Sequence, residues 1–280
     1  MSVISCIGCG NMGFALMKGA GRGTEIFITD TDSEKVKIAC RQLEDASIKA
    51  SIVSSNTEAI EKADIVFLAV KPQVLKAVLS EISHAVKNKK GKSPVLVSMA
   101  AGWSIEKIQS AISEETQGAL TPDVKAPVVR IMPNTPALIG KGMILMSSSP
   151  EVPPEKIDEL EKLLMGAGMV DRINEQYMNA VTGLSGSGPA FVYLFIDALA
   201  DGGVSAGLSR DKAIHYAVQT VLGAAAMITE TGKEPSELTA MVTSPGGTTL
   251  AGIAALEDGA FQKTVKNAVQ AAWKRAIELG

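Results

Sequence analysis

Short β-branched runs, apolar at almost every position, constrain this chain more than any other feature. Residues 3–7, 25–29, 65–70, 95–98 and 128–132 read as strands, with a third strand-like segment just before Asn56. Strands apolar throughout belong to a parallel sheet buried on both faces. Amphipathic stretches such as 74–86 and 105–112 separate them. Alternating strands and helices imply an open doubly wound α/β sheet up to about residue 173. A polar, proline-rich loop at 147–154 launches a helix over 155–164, and 169–173 reads as a last strand.

After Glu175 the strand signal ends. Alanine-rich helical runs cover 190–200, 210–231 and 261–279, broken by Gly and Pro. The middle run carries Gly223, Ala224, Ala225 and Ala226 and few charges, so it is apolar around its circumference. A helix apolar all round is buried all round. A segment of about a hundred residues has little interior in which to hide it, so a second chain is expected to cover it. The chain therefore divides into an α/β doubly wound domain, 1–174, and an all-helical domain that a second copy completes, 175–280.

Composition excludes several classes. Apolar residues make up 46% of the 280 and charged residues 20%, enough for a packed core and unlike a disordered chain. The formal charge, 27 − 30 = −3, gives no basic surplus for a phosphate backbone, so nucleic acid is not an expected partner. The dense basic patch of Lys87, Lys89, Lys90 and Lys92 reads as a solvated loop after a helix. Unbroken apolar runs, 190–196 and 221–228, fall short of the ~20 residues that cross a bilayer, so no membrane association is expected. Three cysteines and a strand-like start without a basic leader make the cytoplasm the default compartment.

The first chemistry-bearing motif is Gly8-Cys9-Gly10-Asn11-Met12-Gly13, a G-x-G-x-x-G placed directly after one strand and opening a helix. That context gives the motif its meaning and makes 1–174 a Rossmann-type dinucleotide-binding domain. Gly8 makes the tight turn, Gly10 admits a pyrophosphate to the backbone, and Gly13 lets the helix pack on the sheet. Asp30 ends the second strand, where an acidic residue accepts hydrogen bonds from the adenosine ribose and repels a 2′-phosphate. The cofactor is accordingly NADH or NADPH, with Asp30 leaning weakly to NADH and Arg22, Lys35 and Lys37 offsetting that lean. Cys6 and Cys9 form C-x-x-C, but further ligands (Cys40, His84, His215) are scattered, so no metal is expected.

A second constellation precedes the helix at 250–257. Thr243-Ser244-Pro245-Gly246-Gly247-Thr248-Thr249 joins two glycines and several hydroxyls to a helix start, a nest of N–H groups suited to a carboxylate. Oxidation of an alcohol needs a general base. His84 reads as a surface residue and His215 as a core or interface residue. A cofactor domain without an evident base suits reduction of a C=N bond, because an imine nitrogen enters the site already protonated.

At these residues the chain resembles the pyrroline-5-carboxylate reductase family over essentially its whole length. The match rests on residues 8–13, Ala69-Val70-Lys71-Pro72-Gln73, Ser98-Met99-Ala100-Ala101-Gly102 and Arg130-Ile131-Met132-Pro133-Asn134-Thr135-Pro136. It continues through Leu184-Ser185-Gly186-Ser187-Gly188-Pro189-Ala190 and Ser244-Pro245-Gly246-Gly247-Thr248-Thr249. The resemblance implies that Ala69, Val70, Lys71 and Pro72 lie along the cofactor. It places Met99, Ala100 and Ala101 at the nicotinamide and Asn56 near the adenosine ribose. Gly246, Gly247, Thr248 and Thr249 match the substrate-carboxylate site, and Glu175 a residue near bound product. The implied reaction is hydride transfer to the C5=N bond of 1-pyrroline-5-carboxylate, giving L-proline, with Thr249 hydrogen-bonding the ring nitrogen. A homodimer through the C-terminal helices is implied, and a decamer built from such dimers. Two alternatives stand beside it: a β-hydroxyacid-dehydrogenase-like oxidoreductase, for which Lys212 lacks a supporting motif, and a non-enzymatic dinucleotide-binding protein.

Overall fold

The computed structural model describes residues 2–21, 23–89, 93–114 and 125–280. Arg22, and Lys90 and Lys92 of the basic patch, lie outside them. The chain forms two compact units, one of residues 1–186 with 272–280 and the other of residues 187–271.

The first unit is an eight-stranded sheet in the order β3-β2-β1-β4-β5-β6-β7-β8. Its strands are β1 (Ile4–Ile7), β2 (Ile26–Thr29), β3 (Ala50–Ile52), β4 (Ile65–Leu68), β5 (Val95–Ser98), β6 (Val128–Met132), β7 (Gly142–Ser148) and β8 (Gly168–Arg172). The first six are parallel. β7 turns antiparallel to β6, pairing Arg130 with Ser147, and β8 runs parallel to β7. The helices are α1 (Asn11–Ala20), α2 (Ser33–Asp45), α3 (Asn56–Lys62), α4 (Pro72–Asn88), α5 (Ile105–Glu114), α6 (Pro154–Leu164) and the single turn α7 (Met178–Val181).

Alternation along β4 explains the apolar strands. Ile65 and Phe67 enter one core with Leu16 and Met17 of α1, while Val66 and Leu68 enter a second with Leu75, Leu79 and Ile82 of α4. Each face of the sheet needs its own hydrophobic set, so nothing in β4 is polar. Order 3-2-1-4 makes β1 and β4 the strands where the winding reverses, and a crevice opens beyond their carboxyl ends.

One strand escapes the sequence reading. Ser147 and Ser148 belong to β7 rather than to the polar loop, which shrinks to residues 149–153. β7 is half-buried beyond Met146 and ends in serines, so its sequence imitates a loop.

In the second unit, α8 (Gly188–Ser205), α9 (Arg210–Thr231), α10 (Pro235–Met241), α11 (Thr248–Asp258) and the start of α12 (Phe261–Glu278) contain no strand among the described residues. α8 and α9 meet through Ala200, Ala213 and Ala217. Arg210 pairs with Asp197 and Asp201 across them. The Phe195 and Phe261 rings meet at a tilt of 39°, centroids 5.7 Å apart. Elsewhere large apolar side chains face outward: Leu222 is 61% exposed, and Tyr216, Met227 and Ile228 are exposed too. His215 also stands exposed on α9 rather than in the core of the chain.

The compact first unit runs past the expected boundary at 174/175. Met178 is buried against Met132 and Leu145, and residues near 279 pack on Gly102, so both ends of the helical region join the sheet unit. The stretch Glu175–Ser205 is also long and apolar enough, by length and composition alone, to cross a membrane. Its best window has mean hydropathy 1.2 and is 11% buried in the single chain. Counting unbroken apolar runs overlooks it, because a window averages across interrupting polar residues.

Candidate active site

The glycine turn follows from the strands it joins. Gly8 N–H donates to the Thr29 carbonyl at 2.8 Å, and Ala69 N–H donates to the Ile7 carbonyl at 2.8 Å. Gly8 holds φ +102°, and a Cβ there would meet the Ala69 carbonyl oxygen at 2.7 Å. At Gly13 a Cβ would meet the Gly8 carbonyl oxygen at 2.6 Å, so α1 lies directly on the turn. Gly10 is different in kind, since a Cβ would enter open space. Gly10 is also the N-cap of α1 and has no side chain to offer the first amides. The first bond of the helix runs from Phe14 N–H to the Gly10 carbonyl, so the amides of Asn11, Met12 and Gly13 precede it. An open cradle over free N–H groups fits a dinucleotide pyrophosphate.

Beyond this turn lies a cleft of about 290 Å³ lined by Gly8, Gly10, Asp30, Asn56, Ala69, Val70 and Lys71. Seven expected cofactor residues from four separate segments thus share one surface. Ile7, Thr31, Lys35, Val74 and Val78 line it as well. Sequence reasoning weighed Lys35 only as an offsetting charge; its position one turn after Asp30 is the signal for its place in the wall. Asp30 is held by the turn it faces: Cys9 N–H donates to Oδ2 at 2.6 Å and Asp32 N–H to Oδ1 at 3.0 Å. Asn56 opens α3, and its amide donates to Glu81 at 2.7 Å.

The other expected cofactor residues sit around the cleft rather than in its lining. Met12 and Cys9 pack on the core beneath α1. Pro72 is in the first turn of α4, and its carbonyl accepts from the Trp103 indole at 3.1 Å. Met99, Ala100 and Ala101 follow β5, where Ala100 is buried and its N–H faces the Ser98 hydroxyl at 3.4 Å. The C-x-x-C pair is free thiol, and Cys6 Sγ donates to the Gly8 carbonyl. Burial pushes the Cys9 thiol up to about 12, with Asp30 adding to the rise, and raises Cys6 in the same direction. Such thiols are poor nucleophiles.

The second constellation is built at the start of α11. Gly247 is its N-cap, again without a side chain to lend, and Gly247 N–H closes a turn onto the Ser244 carbonyl at 2.9 Å. The first bond of α11 runs from Ala251 to Gly247, so the amides of Thr248, Thr249 and Leu250 come before it. Thr248 is exposed and Thr249 half-buried.

Glu175 belongs to a different cluster. Its Oε1 accepts from Ile105 N–H at 2.7 Å and from Arg130 at 3.3 Å. Arg130 also reaches Asn179 at 3.4 Å, and its Nε is buried without a partner among the described residues. Burial lowers the Arg130 guanidinium from its ordinary value, and Glu175 opposes that shift. Glu175 further lines a crevice of about 450 Å³ with Ser147, Ser149, Arg172 and Asn174.

The chain is similar to known proteins over nearly its whole length. Residues 175–279 match the family model described as pyrroline-5-carboxylate reductase dimerisation, and residues 3–102 match the NADP oxidoreductase, coenzyme F420-dependent, model. A pyrroline-5-carboxylate reductase from Glycine max is 40% identical, covering 98% of this chain and 94% of its own. The chain belongs to the pyrroline-5-carboxylate reductase family. A family member from Corynebacterium melassecola is 39% identical over 100% of this chain and 99% of its own. The crystal structure of the Plasmodium falciparum pyrroline carboxylate reductase, with NADP bound, superposes with a TM-score of 0.83 at 29% identity, covering 100% of this chain and 98% of that one. The α/β sheet followed by helices is therefore the family's fold, and the exposed apolar helices belong to its oligomerising part.

Proposed function

We propose that this chain reduces 1-pyrroline-5-carboxylate to L-proline, the last step of proline biosynthesis, with a nicotinamide dinucleotide as reductant. The observation that carries the reading is a pair of open helix starts, α1 behind Gly10 and α11 behind Gly247. One suits a pyrophosphate and the other a carboxylate.

The reduced nicotinamide, when bound, supplies a hydride to C5. The chain binds and orients. Gly8, Gly10 and the amides of residues 11–13 hold the pyrophosphate, with Asp30 and Asn56 toward the adenosine ribose and 69–72 along the cofactor. Gly246, Gly247 and the amides of Thr248 and Thr249 hold the substrate carboxylate. The Thr249 hydroxyl hydrogen-bonds the ring nitrogen and relays a proton to it when the imine arrives neutral. Glu175 serves on the substrate side, its carboxylate fixed by Ile105 and Arg130. A homodimer through the C-terminal helices, assembling further to a decamer, covers the apolar faces of α8 and α9. Three free cysteines accord with a cytoplasmic setting.

For the cofactor, NADH is the favoured partner. Asp30 brings negative charge to the cleft, while Lys35 is paired with Asp32 at 3.2 Å and Lys37 with Glu34 at 2.7 Å, which blunts both cations. Turnover of 1-pyrroline-5-carboxylate with NADH and with NADPH, proline being identified as product, tests the reading. Absence of turnover with either would end it. Asp30→Ser should move the preference toward NADPH; an unchanged ratio removes Asp30 from that role. Thr249→Ala should lower kcat/KM about tenfold, roughly 1.4 kcal/mol of transition-state stabilisation. An unchanged value removes Thr249 from the chemistry.

A further inference from the structure

The turn after β5 is held from three sides. Trp103 N–H closes it onto the Ala100 carbonyl at 3.4 Å, and the Trp103 indole ties it to Pro72 at the start of α4. Two residues on, Ile105 N–H is fixed by Glu175. The third support comes from the far end of the chain. Gly102 holds φ +78°, and a Cβ there would meet the Leu279 carbonyl oxygen at 2.2 Å and Gly280 N at 3.0 Å. α12 ends at Glu278, and its last turn is anchored by Ala276, only 3% exposed. Gly280 N–H bonds the Ile277 carbonyl at 3.1 Å, so the backbone that meets Gly102 is itself ordered by the helix. Residue 102 is thus required to be glycine twice over, by its left-handed conformation and by a neighbour that leaves no room for a methyl group.

We infer that the last turn of α12, through the backbone of Leu279 and Gly280, is a positioning element that sets the turn Met99–Gly102 against the nicotinamide ring. The inference rests on the reading that Met99, Ala100 and Ala101 border the nicotinamide. The carboxyl end of β5 adjoins that of β4, whose following residues line the dinucleotide cleft. A turn in that place, packed against the Leu279 backbone and tied by the Trp103 indole to Pro72, has little freedom to shift. Small displacements of groups that orient a reacting ring carry large kinetic effects.

The test compares two ligands in the full-length protein and in a variant lacking Leu279 and Gly280. ADP-ribose carries the adenosine, the pyrophosphate and the second ribose, and NADH adds only the dihydronicotinamide ring. Deletion should weaken NADH and lower kcat about tenfold, while ADP-ribose stays within about twofold. Gly102→Ala in the full-length protein should reproduce that selective loss. In the deletion variant the same substitution should add less, because the colliding carbonyl is gone. Equal weakening of both ligands, no weakening of either, or a Gly102→Ala penalty identical in the two backgrounds would overturn the inference. Should the deletion fail to fold, the Gly102→Ala ligand comparison in the full-length protein decides alone. A parent protein that binds NADH yet leaves 1-pyrroline-5-carboxylate unreduced would refute the functional reading, and the ligand ratio would still judge the positioning role.

Discussion

The two compact units spend their apolar side chains in opposite ways. In the first, β4 is buried on both faces, and Phe67, Ile65 and Leu68 are each 0% exposed. In the second, α9 buries only Ala213 and Ala217, while Leu222 stands 61% exposed. Both units are rich in apolar residues, so composition does not distinguish them. The difference lies in layers: a sheet covered by helices on two sides closes its own core, whereas a few helices leave apolar flanks open. One unit is complete within a single chain, and the other is completed by association.

The largest effect should come from opening the closed core. Phe67→Ala removes a fully buried ring from the centre of the sheet and should cost about 3–5 kcal/mol of stability. Denaturant unfolding checks it, and the loss should be the same at every protein concentration. A loss that vanishes on concentrating the protein would mean that the first unit also depends on association.

Leu222→Asp probes the other side of the comparison. The side chain is already exposed in the single chain, so secondary structure by circular dichroism should be unchanged. A charge placed on a face that a partner covers should instead raise the subunit dissociation constant about a hundredfold or more, ~2.7 kcal/mol. Sedimentation across a dilution series reads the effect. An unaltered assembly would place the partner-covered face elsewhere on the second unit.

The same contrast explains what could be read from the sequence. The strands β1, β4, β5 and β6 announce themselves because both faces demand apolar side chains. The span Arg210–Thr231 is legible because Ser209 and Gly232 bound an unbroken helical composition. β7 is not, since it needs apolar residues only through Met146 and closes on serines. In the site, Gly8, Gly10 and Gly13 are readable from spacing: backbone geometry forces the identity of Gly8 and Gly13, and Gly10 leaves open the space over the helix start. Thr31 is not, because it enters the cleft through the shape of the loop between β2 and α2 rather than a rule of spacing. The contact of Gly102 with Leu279, at the far end of the chain, has no local signature at all.

The smallest effect concerns the stability of a helix start that is closed by a side chain. α1 and α11 begin with glycine, but α2 begins with Asp32, whose Oδ1 accepts from the amides of Glu34 and Lys35 at 3.2 Å each. The Lys35 amide and its ammonium hold the Asp32 carboxyl below its usual value. A carboxylate depressed in the folded state contributes above its unfolded pKa of about 3.9, and that contribution is lost as pH falls through the lower folded value. Asp32→Asn keeps an acceptor at the cap while removing the charge, so it should be less stable than the parent at neutral pH and converge with it in acid. Thermal melts from pH 7 down to about 3 read this convergence, and a constant gap would show that charge at the cap contributes nothing.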